Sequence, residues 1–350
     1  MSLQRFLCVT TLFIALVADS SARVAGQTGT STAAAQKPAS SASSNSTSVP
    51  RLSDGHPDLQ GIWSSATVTP LERPKEFANK EVLTEAEAAQ YEKVVIERNN
   101  VDRRDDKKGT NQDVTLAYND AWWDRGTRVV PTRRTSLVID PPDGKLPELT
   151  EYGKQRQNRM IPYSGFQDGR ILASWLDRGL WERCITRGIP DVMLPTAYNN
   201  NYQILQTPHY VAILAEMIHD ARIIPTDGRK HVGSTVRQWM GDSVGRWEGD
   251  TLVVDTTNFT DKTSFRGSGE TLHIIERFTR INADVLDYQV TVDDPKTFTR
   301  SWTVDLPARR GEGPIYEYAC HEGNYAMEHA LSGSRAAEKA AGDAGKKKEQ

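Results

Sequence analysis

The sequence predicts a mainly β protein in which an antiparallel meander forms a barrel or a sandwich, with a few short helices at its periphery. Between Gly245 and Leu306, four successive segments alternate apolar and polar residues with the two-residue period of half-buried strands. Clusters of Gly, Asn, Asp and Pro separate these segments and are typical of turns between antiparallel strands. Helical spacing is clear in one long segment, residues 85–98. Strands therefore dominate the prediction.

The N-terminal residues have the pattern of an export signal. In residues 1–26, Arg5 precedes the apolar run Phe6–Val17, and the small residues that follow supply a cleavage site, as in a secretory signal peptide. Residues 27–51 are rich in Ser, Thr and Ala and are predicted to be a disordered linker. No later segment reaches the roughly 18 apolar residues that a spanning helix needs. The sequence predicts an exported protein, periplasmic or extracellular, without a membrane span.

The rest of the chain is predicted to form a single β-rich domain at residues 52–332. A disordered or frayed helical tail is expected at residues 333–350, because that segment has no apolar face. The 350 residues carry a formal net charge of −3, and the pI is near 6.2. Nucleic acid is not an expected partner, because phosphate binding needs a dense cationic surface. The oligomeric state is left open.

Several elements are predicted ahead of the meander. The helix at residues 85–98 begins with a capping box formed by Thr84 and Glu87. The strand at residues 210–219 is apolar on both faces, which indicates a central strand. Two shorter helices are predicted at residues 150–160 and 174–184, and further strands at residues 135–139, 202–206 and 221–224.

Two charged residues interrupt the apolar faces of the meander. Glu276 shares a face with Ile274, and Arg300 shares a face with Trp302. A lone buried charge is costly, so the two form either an ion pair inside the sheet or the polar floor of a pocket. The substitution Glu276→Gln separates these hypotheses. A pocket residue would lose ligand binding with little change in melting temperature, whereas an ion-pair residue would lose stability.

Further polar groups lie in the predicted central strand and near the C-terminus. Glu216 is a second internal carboxylate, whereas His321 and Glu322 form either an acid and base pair at the sheet rim or a polar C-terminal cap. His321-Glu322 resembles the start of a zinc-protease helix, but that motif needs a second His at position 325, which is Tyr. No metal site and no cofactor are therefore predicted.

The mature chain would keep two cysteines, Cys184 and Cys320. In an oxidising compartment, such a pair is expected to form a disulfide that stabilises the fold by roughly 4 kcal/mol on the chain-entropy model. A nucleophilic cysteine with His321 as its base would need a free thiolate, which conflicts with export.

These residues together predict a β-enclosed pocket, with the histidines near its mouth. The predicted catalytic residues are Glu276, Glu216, His321 and Glu322. The predicted ligand-binding residues are Arg300, His273, Trp302, Tyr288 and Tyr318.

Four blocks of the sequence, GRWEGDTLVVDTTNF, EMIHDARIIPTDGR, DPPDGKLPELT and YEYACHEGNY, resemble recurrent blocks of a large family of uncharacterised exported bacterial proteins. The resemblance covers most of residues 52–332 and implies export and a shared fold. It implies no reaction, substrate or catalytic residue. The alternating meander also resembles lipocalin-like barrels in architecture alone.

Two classes of function follow. The first is a protein whose β-enclosed pocket binds a small molecule or a short glycan and acts on it, if it is an enzyme, by cofactor-free acid and base chemistry as a hydrolase, lyase or isomerase. Fingerprints of serine hydrolases, nucleotide hydrolases and dinucleotide-binding folds are absent from the sequence. The second class is a non-enzymatic structural or interaction module of the cell envelope.

Overall fold

Ten β-strands form one antiparallel sheet in the described part of the chain. The computed structural model describes residues 49–102, 120–159, 172–263 and 265–348. The strands are β1 (Gly61–Ser64), β2 (Val138–Asp140), β3 (Asn201–Gln206), β4 (Tyr210–Ala215), β5 (Ala221–Pro225), β6 (Asp242–Glu248), β7 (Thr251–Thr257), β8 (His273–Arg280), β9 (Val285–Asp293) and β10 (Trp302–Arg310). The prediction of a mainly β fold with an antiparallel meander is confirmed. The predicted signal peptide and nearly all of the predicted linker lie outside the described residues.

The sheet curls into a nearly closed barrel. Its strand order is β5-β4-β3-β1-β10-β9-β8-β7-β6, and β2 pairs with β10 beside β1. Each step along this path of nine strands is antiparallel, so the two end strands, β5 and β6, run in the same direction where they meet. We call the line along which β5 and β6 meet the seam.

No backbone ladder pairs β5 with β6, so side chains close the seam. Gly245 of β6 lies so close to β5 that a Cβ atom there would be 3.1 Å from a methyl carbon of Ile224 and 3.0 Å from one of Thr226. A larger residue at position 245 would therefore push the two strands apart. Residues 226–241 form the crossover connection that leads from the end of β5 back to the start of β6.

The meander strands alternate between a buried inner face and a more exposed outer face, as their sequences predict. In β9 the buried residues are Leu286, Tyr288, Val290 and Val292, and the residues between them are only partly buried. The inner faces of the strands contribute to one hydrophobic core cluster that includes Trp63, Tyr202 and Trp302. Burial of this apolar surface is the main force that holds the barrel together.

The described helices are α1 (Glu85–Asn99), α2 (Glu151–Arg159) and α3 (Ala326–Lys348). The predicted capping box of α1 is present, since the Thr84 hydroxyl accepts from the Glu87 amide at 3.3 Å and the Glu87 carboxylate accepts from the Thr84 amide at 2.8 Å. None of the described helices has the length and apolar character that a membrane span needs.

Two local predictions were wrong. The helix predicted at residues 174–184 is only a 3-10 turn at Trp175–Asp177, because the backbone becomes extended at Arg178, with φ −96° and ψ 145°. The strand predicted to reach residue 219 ends at Ala215, because the chain turns with Ile218 and His219 at positive φ.

The predicted disulfide between Cys184 and Cys320 is present, with a Cα–Cα distance of 5.8 Å. It joins the loop ahead of β3 to the segment that follows β10. The middle of the chain is therefore linked covalently to its C-terminal segment.

Candidate functional site

Glu276 lies in the middle of a buried network of polar side chains inside the barrel. Its side chain is 0 % exposed. One carboxylate oxygen accepts hydrogen bonds from Arg222 Nη1 at 2.9 Å and from the Tyr288 hydroxyl at 3.0 Å, and the other accepts from Arg222 Nη2 at 2.5 Å. Fork-to-fork pairing of this kind is among the strongest arrangements of arginine with carboxylate.

Arg222 extends this network across the seam. It comes from β5, whereas Glu276 is on β8. Its Nη2 also donates to the Ser243 hydroxyl of β6 at 3.2 Å, and that hydroxyl lies 2.9 Å from the hydroxyl of Thr256 on β7. One guanidinium group therefore ties the edge strand β5 directly to β6 and β8, and through the Ser243 hydroxyl to β7.

Electrostatics agree with a charged pair in this core. Burial opposes the charge on Arg222, but the Glu276 carboxylate outweighs that effect and raises the pKa of the guanidinium. Burial and the adjacent negative charge of Glu276 raise the pKa of Tyr288 well above its usual range, so its hydroxyl stays protonated and donates. Of the two hypotheses for Glu276, the geometry favours a structural ion pair, with Arg222 in the place that the sequence suggested for Arg300.

The prediction that Arg300 points into the core is wrong. Its side chain is 51 % exposed and forms an ion pair with Asp140 at 2.8 Å. β10 begins only at Trp302, so residues 299–301 do not continue the alternation of the strand. The ring of Trp302 packs in the core between Phe265 and Phe298.

Glu216 is buried, as predicted, but its hydrogen-bond partners are not those of Glu276. Its carboxylate accepts from the Asn201 side chain at 2.9 Å and from the backbone amide of Tyr316 at 3.0 Å. It therefore fastens the C-terminal segment against β3, which is a structural role. The backbone oxygen of Tyr318, in the same segment, lies within hydrogen-bond distance of the His219 ring. The Tyr318 ring stacks on the Tyr198 ring, with 6.5 Å between the ring centroids.

His321 and Glu322 lie in an exposed turn beside the disulfide. In the described part of the chain, no hydrogen bond joins either of them to Glu276 or Glu216. The structure thus does not bring together the four carboxylate and imidazole groups that the sequence suggested as catalytic. A polar C-terminal cap, the other hypothesis for His321 and Glu322, agrees with this geometry.

The predicted mouth residue His273 belongs to a different cluster, on the outer face of the barrel. Its Nε2 lies 3.1 Å from one oxygen of Asp255, and the other oxygen of Asp255 lies 3.0 Å from Nε2 of His231. Nδ1 of His231 lies 2.8 Å from the carboxylate of Asp242. The four side chains form a continuous chain of alternating carboxylate and imidazole across β6, β7 and β8.

Hydrogen bonding shifts the pKa of two members of this chain. Both ring nitrogens of His231 lie within hydrogen-bond distance of carboxylate oxygens. Hydrogen bonding by His273 lowers the pKa of Asp255, and the same bond raises the pKa of His273. His231 also anchors the crossover connection 226–241 to the barrel. Among the described residues, no group of three or more His, Cys, Asp or Glu side chains has a geometry that could hold a metal ion.

A surface cavity of about 630 Å³ follows the seam. We call it the seam groove. Its walls are β5, the start of β6 and the crossover connection, and Arg222 and Ser243 of the buried network lie at its base. Asp242 belongs both to its wall and to the imidazole and carboxylate chain. The further lining groups with aromatic or charged character are Tyr210, Arg229, Lys230, Arg237 and Trp239.

Sequence reasoning missed Arg222 and the seam groove. A signal for Arg222 was present, since it shares a strand face with Ile224 in the segment Ala-Arg-Ile-Ile-Pro, and Ile224 is fully buried. The groove had no local signal, because its walls come from segments that meet only when the barrel closes.

Comparison of the chain with protein-family models, with curated proteins and with solved structures found no match.

Proposed function

We propose that this protein is exported and binds a polar small molecule or a short glycan in the seam groove. One observation carries the proposal. The groove lies along the seam, where the edges of β5 and β6 have no ladder partners and line a cavity. The volume of about 630 Å³ is within the range usual for small-molecule sites. The disulfide supports the exported location. We include in the proposal membership of the exported bacterial family that the sequence blocks resemble.

The register of β4 and β5 identifies the backbone N–H and C=O groups of β5 that face the groove. The amide of Thr226 donates to His209 and the amide of Ala215 donates to Asp220, each at 2.8 Å, so the even-numbered residues of β5 are the ones that bond to β4. The N–H and C=O groups of Ala221 and Ile223 therefore point toward the seam, and both residues line the groove. Backbone groups without ladder partners favour a ligand with several hydroxyl, amide or carboxylate groups.

The side chains of the groove suit the same kind of ligand. Trp239 and Tyr210 supply aromatic rings of the type that stack on sugar faces. Arg229 donates to the Tyr210 hydroxyl at 2.8 Å and to the Asp227 carboxylate. These two contacts hold the Arg229 guanidinium group and the Tyr210 ring in place. A rigid wall lowers the entropy that ordering of the site would cost on binding.

Chemistry on the bound ligand, if it occurs, would be proton transfer without a cofactor. Asp242 joins the wall of the groove to His231, Asp255 and His273, so a proton could pass between the groove and the outer face of the barrel along hydrogen bonds of 2.8 to 3.1 Å. This arrangement supports a hydrolase, lyase or isomerase among enzyme classes.

Ligand identification followed by a matched pair of variants tests the proposal. Native mass spectrometry of protein purified from its source, together with a glycan array, identifies a ligand, and calorimetry then measures its affinity. Trp239→Ala should weaken binding at least tenfold, whereas Trp122→Ala, at a tryptophan that is 69 % exposed and lies away from the groove, should not. Equal affinities of the wild type and Trp239→Ala would place the ligand elsewhere and overturn the proposal.

An interaction module of the cell envelope is the second candidate, because one observation favours it. Leu205, Ala212 and Ile223 are aligned across β3, β4 and β5 on the outer face, and Leu205 and Ile223 are 51 % and 64 % exposed. Such a row is typical of a protein contact. Loss of association with the cell envelope in Leu205→Lys, with ligand binding retained, would support this candidate.

A further inference from the structure

A second cavity, separate from the seam groove, is surrounded by arginine side chains. Its volume is about 370 Å³, and it lies between α1, the segment after β1 and the loops ahead of β3. Arg98, Arg125, Arg187 and Arg266 line it and come from four distant parts of the sequence. We call it the four-arginine cavity. Its position on several elements means that only the folded chain assembles this concentration of positive charge.

The four guanidinium groups have few internal partners. None of the salt bridges between described residues includes one of these four arginines. The Arg98 side chain is hydrogen-bonded to that of Tyr91. Arg125 donates to the backbone oxygen of Asn99 at 2.9 Å, and Arg187 donates to that of Asp191 at 3.4 Å. Arg266 has a buried Nε without any hydrogen-bond acceptor. Among the described residues, these contacts use only part of the five N–H donors that each guanidinium group carries.

One carboxyl group, that of Asp191, also lines the cavity. Asp191 feels the positive charges of Arg187 and Arg266, yet burial has the larger effect and raises the pKa of this carboxyl. Four like charges around a small volume repel one another, and this repulsion is relieved when an anion occupies the space between them.

Aromatic rings hold three of the guanidinium groups in place. Arg125 lies over Trp123 at 4.1 Å, Arg187 over Trp181 at 4.9 Å and Arg266 over Phe265 at 5.9 Å, measured from the guanidinium carbon to the ring centroid. A guanidinium group that is stacked on a ring keeps its edge available for hydrogen bonds. The donors are therefore ordered before a ligand arrives, which lowers the entropic cost of binding.

Arginine forks match the geometry of tetrahedral oxyanions, which accept several hydrogen bonds at once. We propose that the four-arginine cavity binds phosphate or sulfate, either free or as an ester on a small molecule. This site is distinct from the seam groove, and its existence does not depend on the ligand of that groove.

Anion titration of the purified full-length protein tests the proposal. The protein is exchanged into a buffer free of phosphate and sulfate, and melting temperature and calorimetric heat are followed while sodium phosphate, sodium sulfate or sodium chloride is added at matched ionic strength. Phosphate or sulfate should raise the melting temperature with saturation, and chloride should not. Glucose 6-phosphate and glucose 6-sulfate, compared with the free ions, distinguish an ester site from an inorganic-ion site.

Variants locate the bound anion. Arg266→Gln should weaken oxyanion binding at least tenfold, and Arg266→Lys should give an intermediate affinity because lysine keeps the charge but lacks the fork. Arg246→Gln, at an exposed arginine on β6, is the matched control and should bind like the wild type, as should the groove variant Trp239→Ala. Retained binding in Arg266→Gln, or loss in Trp239→Ala alone, would overturn this assignment.

A measurement without variants guards against folding defects. Phenylglyoxal modifies accessible arginines, and peptide mass spectrometry then reports each site. Saturating phosphate or sulfate should protect Arg98, Arg125, Arg187 and Arg266 and leave Arg246 reactive. Equal modification of the four residues with and without the oxyanion would refute the site, whatever the outcome for the variants.

Discussion

Replacement of Glu276 by glutamine is the most informative perturbation of this fold. The change keeps the shape of the side chain but removes the charge that balances Arg222, and the two side chains are 0 % and 4 % exposed. Removal of one partner of a buried ion pair typically costs about 3 to 5 kcal/mol, because the remaining charge is left uncompensated in the core. For a domain of roughly 280 residues, with an unfolding entropy of about 2.1 cal/mol/K per residue, that loss corresponds to a fall in melting temperature of about 5 to 9 °C.

The assay is urea unfolding followed by circular dichroism, with the disulfide intact. The matched control is Arg300→Gln, since the Arg300–Asp140 pair is 51 % and 47 % exposed and should contribute less than about 1 kcal/mol. A double variant, Arg222→Met with Glu276→Met, should be more stable than the sum of its single variants predicts, because it removes both buried charges together.

A specific outcome would refute this reasoning. If Glu276→Gln unfolded within about 1 kcal/mol of the wild type, the ion pair would not hold the seam. If that variant also lost ligand binding, the pocket-floor hypothesis for Glu276 would replace the structural one.

The remaining predictions concern the disulfide and pH. Replacement of Cys184 and Cys320 by serine should lower the unfolding free energy by roughly 4 to 5 kcal/mol on the chain-entropy model, because the bridge closes a loop across a separation of 136 residues; two alkylatable thiols in the untreated protein, seen by non-reducing mass spectrometry, would contradict it. Burial and a hydrogen bond with Asp305 raise the pKa of Asp287 to about 7, so the folded state holds a proton that the unfolded state releases near pH 3.9. The free energy of unfolding should therefore fall as the pH rises from about 4 through 7, and it should fall less in Asp287→Asn over the same window. If urea titrations at pH 5 and pH 8 gave the same change in unfolding free energy for Asp287→Asn and the wild type, the raised pKa of Asp287 would be contradicted.

Local patterns in the sequence were sufficient for the strands of the meander, the capped helix α1 and the partners of the disulfide. Alternation of apolar and polar residues reports which face of a strand is buried, and this requires only neighbouring residues. Alternation alone therefore predicts that Glu276 is an interior carboxylate, although it does not predict its partner. The same rule failed for Arg300, because alternation was extended past the start of β10.

Long-range pairing decided the rest. Arg222 and Glu276 are 54 residues apart and meet only because nine strands close into a barrel with β5 facing β6. The seam groove and the four-arginine cavity arise in the same way, from segments that carry no mark of one another in the sequence.

The sequence by itself determined the β-rich fold, the inner face of each meander strand and the presence of an acid among apolar residues. Only the tertiary structure decided that this acid is neutralised within the core and that the free polar surface lies along the seam and among the arginines. Side-chain periodicity is a local consequence of strand geometry. The closure of a barrel, by contrast, depends on contacts between strands that are distant in the chain.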